Sequence, residues 1–170
     1  MLYLLGADEI PVEQLGKVFV IYQGHHGDAG AHRADVIFPG AAYTEKNATY
    51  VNTEGRAQHA YLATYPLGEA KEDWNIIAQL SHYMSIEPAY KNIEDIRKLM
   101  AGVSPVFSQI GQVTKAPWAD FGHKGVLASE PFIQDIESFY RTDVISRISR
   151  VMAQCTQDIL GQGKNDQEAA

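Results

Sequence analysis

The chain has 170 residues, of which 45% are hydrophobic and 21% charged, and its 14 basic and 21 acidic side chains give a formal net charge of −7. A chain of this length buries roughly two-thirds of its unfolded surface, so the composition predicts one globular core. The acidic balance argues against a nucleic-acid partner, because cationic side chains must replace the counterions of a phosphate backbone. The single cysteine, Cys155, excludes an intramolecular disulfide and an iron–sulfur cluster held wholly by this chain.

The N-terminal apolar run, Leu2–Leu5, is typical of a buried strand. It has no basic flank and is soon followed by acidic residues, so it is not typical of a signal peptide. No apolar run approaches the ~18 residues that a membrane-spanning helix needs, and the sequence predicts no direct membrane insertion. Because domains rarely open on such a strand, we expect this chain to be the downstream part of a longer polypeptide.

Three apolar runs, at residues 2–5, 18–22 and 35–38, predict the core strands of a small parallel or mixed α/β sheet flanked by helices. The runs show no alternation of polar and apolar residues, so we expect these strands to be buried on both faces. The segments between them are just long enough for parallel crossovers. The first predicts one helical turn within 11–16, and the second a glycine-rich loop and a short helix within 24–34.

The middle of the chain is predicted to hold a hairpin and several helices. In chain order, the elements are a hairpin with strands at 49–52 and 58–61, a helix over 71–84, a helix over 93–100, and one helical stretch from Ser104-Pro105 to Gly111. Asn92 is the candidate N-cap of the second helix, and Gly102 is expected beyond its end. Residues 112–127 predict a surface loop that Trp118 and Phe121 hold in place.

The last predicted element is the longest. Apolar residues recur every three or four positions from 132 to 160, which predicts a helix that Asp143 would divide in two as an internal N-cap. The sequence therefore predicts a portion of an α/β domain at 1–127, a C-terminal helical segment at 128–160 and a disordered tail at 161–170.

The densest cluster of chemically reactive side chains lies at residues 25–35. Its possible metal ligands are His25, His26, Asp28, His32 and Asp35. Their spacing matches no strong metal motif, so we favour the interpretation that the histidines form local hydrogen bonds at a turn.

The glycines of the same segment raise the possibility of a phosphate site. Gly24, Gly27 and Gly30 follow a predicted strand and precede a short helix, the setting in which backbone N–H groups bind phosphate. The spacing differs from the Gly-x-Gly-x-x-Gly fingerprint, so this indication is weak.

Other residues give no convincing active site. Glu45, Glu54 and His59 are candidates for acid–base chemistry, but Glu54 is better explained by a local ion pair with Arg56 at a turn. Cys155 falls on the apolar stripe of the last helix, which predicts an inert core thiol. The tryptophans and tyrosines are interpreted as packing residues.

Residues 34–58 resemble a sequence block of the molybdopterin oxidoreductase superfamily. They read ADVIFPGAAYTEKNATYVNTEGRAQ. Within the superfamily, the chain is most similar to the large G-type (75 kDa) subunit family of respiratory complex I, the proton-pumping NADH:quinone oxidoreductase. Three further motifs agree, LLGADE at 4–9, YQGHHGDAGAH at 22–32 and FYRTDVISRISR at 139–150. The second resembles the alphaproteobacterial and mitochondrial form.

The resemblance implies a molybdopterin-oxidoreductase-like fold and the C-terminal part of a longer subunit. It places the iron–sulfur clusters in an N-terminal region missing from this chain, and it implies that the pterin cofactor has been lost. We therefore assign no catalytic, cofactor-binding or metal-binding residue. Five residues that match the block are interpreted as maintaining turns: Glu45, Asn52, Glu54, Gly55 and Arg56.

The resemblance implies a scaffold that supports electron transfer from NADH to quinone without chemistry of its own. The expected partners are the N-terminal remainder of the subunit and other peripheral-arm subunits. The expected location is the matrix side of the mitochondrial inner membrane or the cytoplasmic face of a bacterial inner membrane. Two alternatives remain: a fragment of a true molybdopterin-dependent oxidoreductase similar to formate dehydrogenase, with a phosphate site at 24–30, and a stand-alone nucleotide-binding module.

Overall fold

A computed structural model describes residues 1–7, 11–115, 118–120, 122–131 and 138–161 of the chain. The first elements are β1 (Leu2–Leu5), a 3₁₀ helix (Val12–Leu15), β2 (Val20–Gly24), α1 (Ala29–Arg33) and β3 (Val36–Pro39). The three strands form a parallel sheet in the order β1-β2-β3. This confirms the predicted α/β class, with both predicted helical crossovers in place.

The core of the sheet lies on one face. Leu4, Val20 and Tyr22 are buried there and pack against apolar side chains of the 3₁₀ helix and α1. The strand register places Ile37 beside Tyr22 and Leu5 beside Gln23, on opposite faces of the sheet, and the two side chains are 51% and 52% exposed. The expectation that the strands are buried on both faces was therefore wrong at these two positions, because an apolar strand sequence does not by itself provide the element that must cover it.

β2 begins two residues later than predicted and β3 one residue later. The carboxylate of Asp35, placed in a strand by the sequence, accepts a hydrogen bond from the backbone N–H of Val20 at 2.7 Å. Asp35 thus fixes the start of β2, and the strand that follows it begins at Val36.

The predicted hairpin is confirmed as β4 (Ala48–Val51) and β5 (Ala57–Ala60), which pair antiparallel. Asn52 explains the turn, since its side-chain oxygen accepts from the backbone N–H groups of Glu54 and Arg56. Gly55 adopts a positive φ of 82° there. Such a conformation is unstrained for glycine and costly for most other residues.

Two longer helices follow, α2 (Asp73–Tyr83) and α3 (Ile93–Val103). Asn92 caps α3 as predicted, because its side chain accepts from the backbone N–H of Asp95. The prediction that Gly102 lies beyond α3 was wrong. The helix runs through Gly102 and ends before Pro105, which disfavours helical backbone in the residue before it and opens a 3₁₀ helix (Pro105–Ser108).

The C-terminal part is built from short helices. They are α4 (Val144–Ile148), α5 (Arg150–Cys155) and a π-helical turn (Thr156–Leu160). The predicted helix over 132–160, divided in two at Asp143, was wrong at 138–142, which includes turns and bends, while 132–137 lies outside the described residues. Asp143 does begin α4, through a capping box with Ser146.

The predicted surface loop at 112–127 precedes this segment. Trp118 is 91% exposed and Phe121 lies outside the described residues, so the anchoring of the loop by these two rings stays a prediction. The predicted disordered tail also falls outside them beyond Gly161. Within the described ranges, no helix combines the length and apolar character that a bilayer-spanning segment requires.

Candidate functional site

Polar side chains gather where the parallel strands end. The carboxyl ends of β1, β2 and β3 meet at one edge of the sheet, the usual position of ligand sites in open α/β folds. We call the side chains there the carboxyl-edge cluster: Tyr3, Gln23, His25, Lys46 and Asp73. Lys46 comes from the loop after β3, and Asp73 is the first residue of α2.

Gln23 is the centre of the carboxyl-edge cluster and is fully buried. Its side-chain oxygen accepts from the Tyr3 hydroxyl at 2.5 Å, and its amide nitrogen donates to an Asp73 carboxylate oxygen at 2.9 Å. Lys46 Nζ binds the other carboxylate oxygen of Asp73 at 2.5 Å. Burial, with Asp73 nearby, raises the pKa of Tyr3, so this hydroxyl remains a donor. The four side chains therefore satisfy one another, which is what burial of polar groups requires.

His25 and His26 also bind each other. Their Nδ1 atoms lie 2.5 Å apart and the two rings meet edge to face. Partial burial lowers the pKa of His25, and the nearby His26 and Lys46 lower it further, against the opposing effect of Asp73 and Glu45. The neutral ring is therefore favoured. The predicted local hydrogen bonding is confirmed for this histidine pair.

The other possible metal ligands are drawn to different places. Asp35 binds the backbone of β2, His32 lies on α1, and Asp28 forms an ion pair with Arg147. Across the described ranges, no three His, Cys, Asp or Glu side chains come together as metal ligands. The structure thus gives Asp35 and Asp28 separate structural partners.

The glycine-rich loop has a packing explanation at its first position. A Cβ atom on Gly24 would overlap the buried ring of Tyr22, whereas one on Gly27 would meet open space. Gly30 lies inside α1, which has only five residues and begins after the carboxylate of Asp28. A carboxylate at this position repels anions. The arrangement therefore does not favour the phosphate site considered from the sequence.

The block residues and Cys155 also have structural positions. Glu45 accepts from the backbone N–H of Ala42 at 3.0 Å, and Glu54 pairs with Arg56 at 3.3 Å, which confirms the predicted local ion pair. Cys155 is only half-buried and lies on α5, outside the sheet core, so the expectation of a core thiol was wrong.

An open cleft of about 590 Å³ adjoins the carboxyl-edge cluster. The sheet side contributes His25 and Tyr43, and the C-terminal helices contribute the remaining lining residues: Asp143, Val144, Ile145, Ser146, Ser149 and Met152. His25 belongs to both the cluster and the cleft. Sequence reasoning missed this site, because its two sides are at least 100 residues apart and no local motif connects them.

Comparisons with known proteins show the family to which the chain is related. The molybdopterin oxidoreductase family model matches residues 1–83, and the model for the C-terminal region of the G subunit of NADH-ubiquinone oxidoreductase matches residues 103–155. Similar proteins include the G subunit of the NADH-quinone oxidoreductase of Rickettsia bellii (45% identity), the mitochondrial 78 kDa subunit of NADH-ubiquinone oxidoreductase of Candida albicans (47%) and the 75 kDa subunit of Reclinomonas americana (43%). Each similarity covers 91% of this chain but only 23% of the relative.

The first family model raises the question of a pterin cofactor, whose phosphates need N–H donors and cations. Two cations near the carboxyl edge, Lys46 and Arg147, are already paired with Asp73 and Asp28. Gln23 donates to Asp73 as well. The donor set of the described residues therefore does not fit such a cofactor.

Proposed function

Because the chain belongs to the G-type subunit family of NADH-quinone oxidoreductases, we propose that it is a structural region of such a complex and binds no redox centre itself. One observation carries the proposal. The side chains at the carboxyl edge of the sheet, where a ligand is expected in this fold, are hydrogen-bonded to one another through the buried Gln23. A ligand at that edge would have to break these bonds and leave buried polar atoms unpaired.

The proposal extends to partners. The chain spans about a quarter of the length of its relatives, which are named as subunits. The half-exposed Leu5 and Ile37 lie in a parallel sheet, a structure normally covered on both faces. These features support packing against the N-terminal remainder of the same subunit, where we place the iron–sulfur clusters, and against other peripheral-arm subunits. The assembly would lie on the matrix side of the mitochondrial inner membrane or the cytoplasmic face of a bacterial one.

Replacing Gln23 in the native complex tests this proposal. Gln23→Met keeps the side-chain volume but leaves Tyr3 and Asp73 without their buried partner, so we expect less assembled complex. The rate of quinone reduction by NADH per assembled complex should stay unchanged. Gln58→Met, at an exposed position on β5, is the matched control and should leave both quantities as they are.

Two results would contradict the scaffold role. The first is a normal amount of complex with a lower turnover, which would place Gln23 in the chemistry. The second is about one molybdenum per complex, measured by elemental analysis, which would favour the true molybdopterin enzyme. A stand-alone nucleotide-binding module would instead be indicated if the native chain were found outside any complex.

A further inference from the structure

The C-terminal helical segment is joined to the sheet by an ion pair. Arg147 Nε on α4 lies 2.5 Å from Asp28 Oδ2 in the loop between β2 and α1. The two side chains are 20% and 19% exposed, which makes this pair more buried than a typical surface salt bridge. It connects residues 119 positions apart in the sequence.

Arg147 is held in position by hydrogen bonds within its own segment, and the Asp28 carboxylate is not used as a helix cap. Arg147 also donates to the carbonyl oxygen of Thr142 at 3.4 Å, while its own carbonyl oxygen accepts from Arg141 at 3.0 Å. Asp28 stands at the N-cap position of α1 but makes no capping hydrogen bond with its side chain. Its carboxylate is directed toward Arg147 rather than toward the helix that it precedes.

The ion pair places α4 and α5 beside the carboxyl edge of the sheet. The cleft of about 590 Å³ lies between them, with His25 on the sheet side and Met152 of α5 on the helical side. The helices lie within the region matched by the family model of the G-type subunit, and the sheet lies within the region matched by the molybdopterin oxidoreductase model. A segment particular to one family thus borders the position at which the wider fold receives ligands.

We infer that residues 138–161 form a lid over the carboxyl-edge crevice, and that the Asp28–Arg147 ion pair keeps this lid closed. In the closed state, a part of the chain itself lies where a ligand would enter. Breaking the pair removes a partly buried contact between α4 and the loop before α1. Without this contact the lid is held less firmly, and it opens locally more often. This inference does not depend on the function proposed above.

Methionine oxidation in the native, full-length protein measures the lid directly. Met152 lines the cleft and is half-buried, whereas Met84 follows α2 and is 62% exposed, so it serves as an internal reference. Hydroxyl-radical footprinting with mass spectrometry gives the ratio of their oxidation rates. We expect Arg147→Ala and Asp28→Ala each to raise the Met152/Met84 ratio about threefold or more, since either opens the lid locally.

Three further variants separate lid opening from loss of fold. Arg150→Ala removes an exposed arginine from the same segment and should leave the ratio unchanged. The double variant Asp28→Ala/Arg147→Ala should match the single variants, because the two changes remove one shared interaction. The charge exchange Asp28→Arg/Arg147→Asp should return the ratio toward the starting value.

Hydrogen exchange of the β2 amides completes the experiment. They should exchange as slowly in Arg147→Ala as in the unchanged protein, because the sheet keeps its own core. An unchanged oxidation ratio in both alanine variants would overturn the lid. Faster exchange in β2 together with greater oxidation of Met152 would also overturn it, because the pair would then support the whole domain.

Discussion

The two sides of the cleft are stabilised in different ways. The sheet side has a fully buried Gln23 and a core of Leu4, Val20 and Tyr22. The helical side consists of α4 and α5, with five and six residues, and its Val151 remains 65% exposed. Helices this short are not stable alone in water, so they depend on caps and on docking. The comparison shows that the sheet is stabilised by its own buried side chains, whereas the C-terminal segment is held by a few polar contacts.

The largest expected effect comes from Tyr22, at the centre of the sheet core. Tyr22→Ala removes a ring that is 2% exposed and leaves a cavity, which should destabilise the domain by about 3–5 kcal/mol. The measurement is the denaturant dependence of amide exchange in β1 and β2 of the native protein. Tyr43→Ala, at a 60% exposed position, is the control and should change little. Equal effects of the two changes would mean that the sheet does not support itself.

The second effect concerns the glycine-rich loop. Gly24→Ala would place a methyl group into the buried Tyr22 ring, so we expect a loss of about 1–3 kcal/mol from overpacking. Gly27→Ala meets open space and should be close to neutral. The same amide-exchange measurement compares them. If the loop bound phosphate, Gly27→Ala would weaken ligand binding more than Gly24→Ala does. The packing explanation instead requires Gly24→Ala to cause the larger loss of stability in the absence of any ligand.

Much of the sheet side could be predicted from the sequence because its signals are local. Continuous apolar runs predicted β1, β2 and β3, and the turn residues after Asn52 predicted the hairpin. The burial of Gln23 could not be predicted, because its partners Tyr3 and Asp73 come from distant elements. A polar residue at the end of an apolar strand is equally compatible with solvent exposure.

The helical side was harder to predict for a physical reason. Apolar spacing of three or four residues from 132 to 160 predicts a long helix divided once, at Asp143, yet the same spacing is compatible with several short helices separated by caps. Asp143 was recognised as a cap, but Ser149, whose hydroxyl accepts from the Met152 N–H, was not. No local sequence pattern predicts the Asp28–Arg147 contact, because each of these charged residues is equally compatible with an exposed surface position.

A smaller effect is expected from His25, which lines the cleft on the sheet side. Burial lowers its pKa, so the unfolded chain binds a proton at a higher pH than the folded chain does. The contribution of His25 to the free energy of unfolding is therefore fully present above about pH 6.5, and it is lost as the pH drops below this value toward the lowered pKa. Of the groups facing His25, His26 and Lys46 favour its neutral ring, whereas Asp73 and Glu45 oppose this.

Replacing the ring tests this pH dependence. His25→Gln should remove part of the decrease between neutral and mildly acidic pH, measured as the thermal midpoint of the native protein across that range. His82→Gln is the control, since that ring is largely exposed beside Glu87. If the decrease were the same in both variants, the His25 environment would not be the cause.

The smallest effect, confined to the helical side, is expected at Asp143. Its carboxylate accepts hydrogen bonds from the backbone N–H and the hydroxyl of Ser146 and from the backbone N–H of Ile145, and these bonds lower its pKa. A lowered pKa means that the stabilising contribution is present above about pH 4 and is lost as the pH falls through the folded-state value. We expect α4 to lose amide protection in this acidic range, while β2 keeps its protection.

Two substitutions separate the cap from its charge. Asp143→Ala should lower the protection factors of the α4 amides already at neutral pH, because an alanine cannot accept from the first turn. Asp143→Asn retains an acceptor at the N-cap but cannot titrate, so α4 should stay protected at neutral pH and lose its acid-dependent fraying. Fraying that persists unchanged in Asp143→Asn would mean that the Asp143 carboxylate is not the cause of the acid sensitivity.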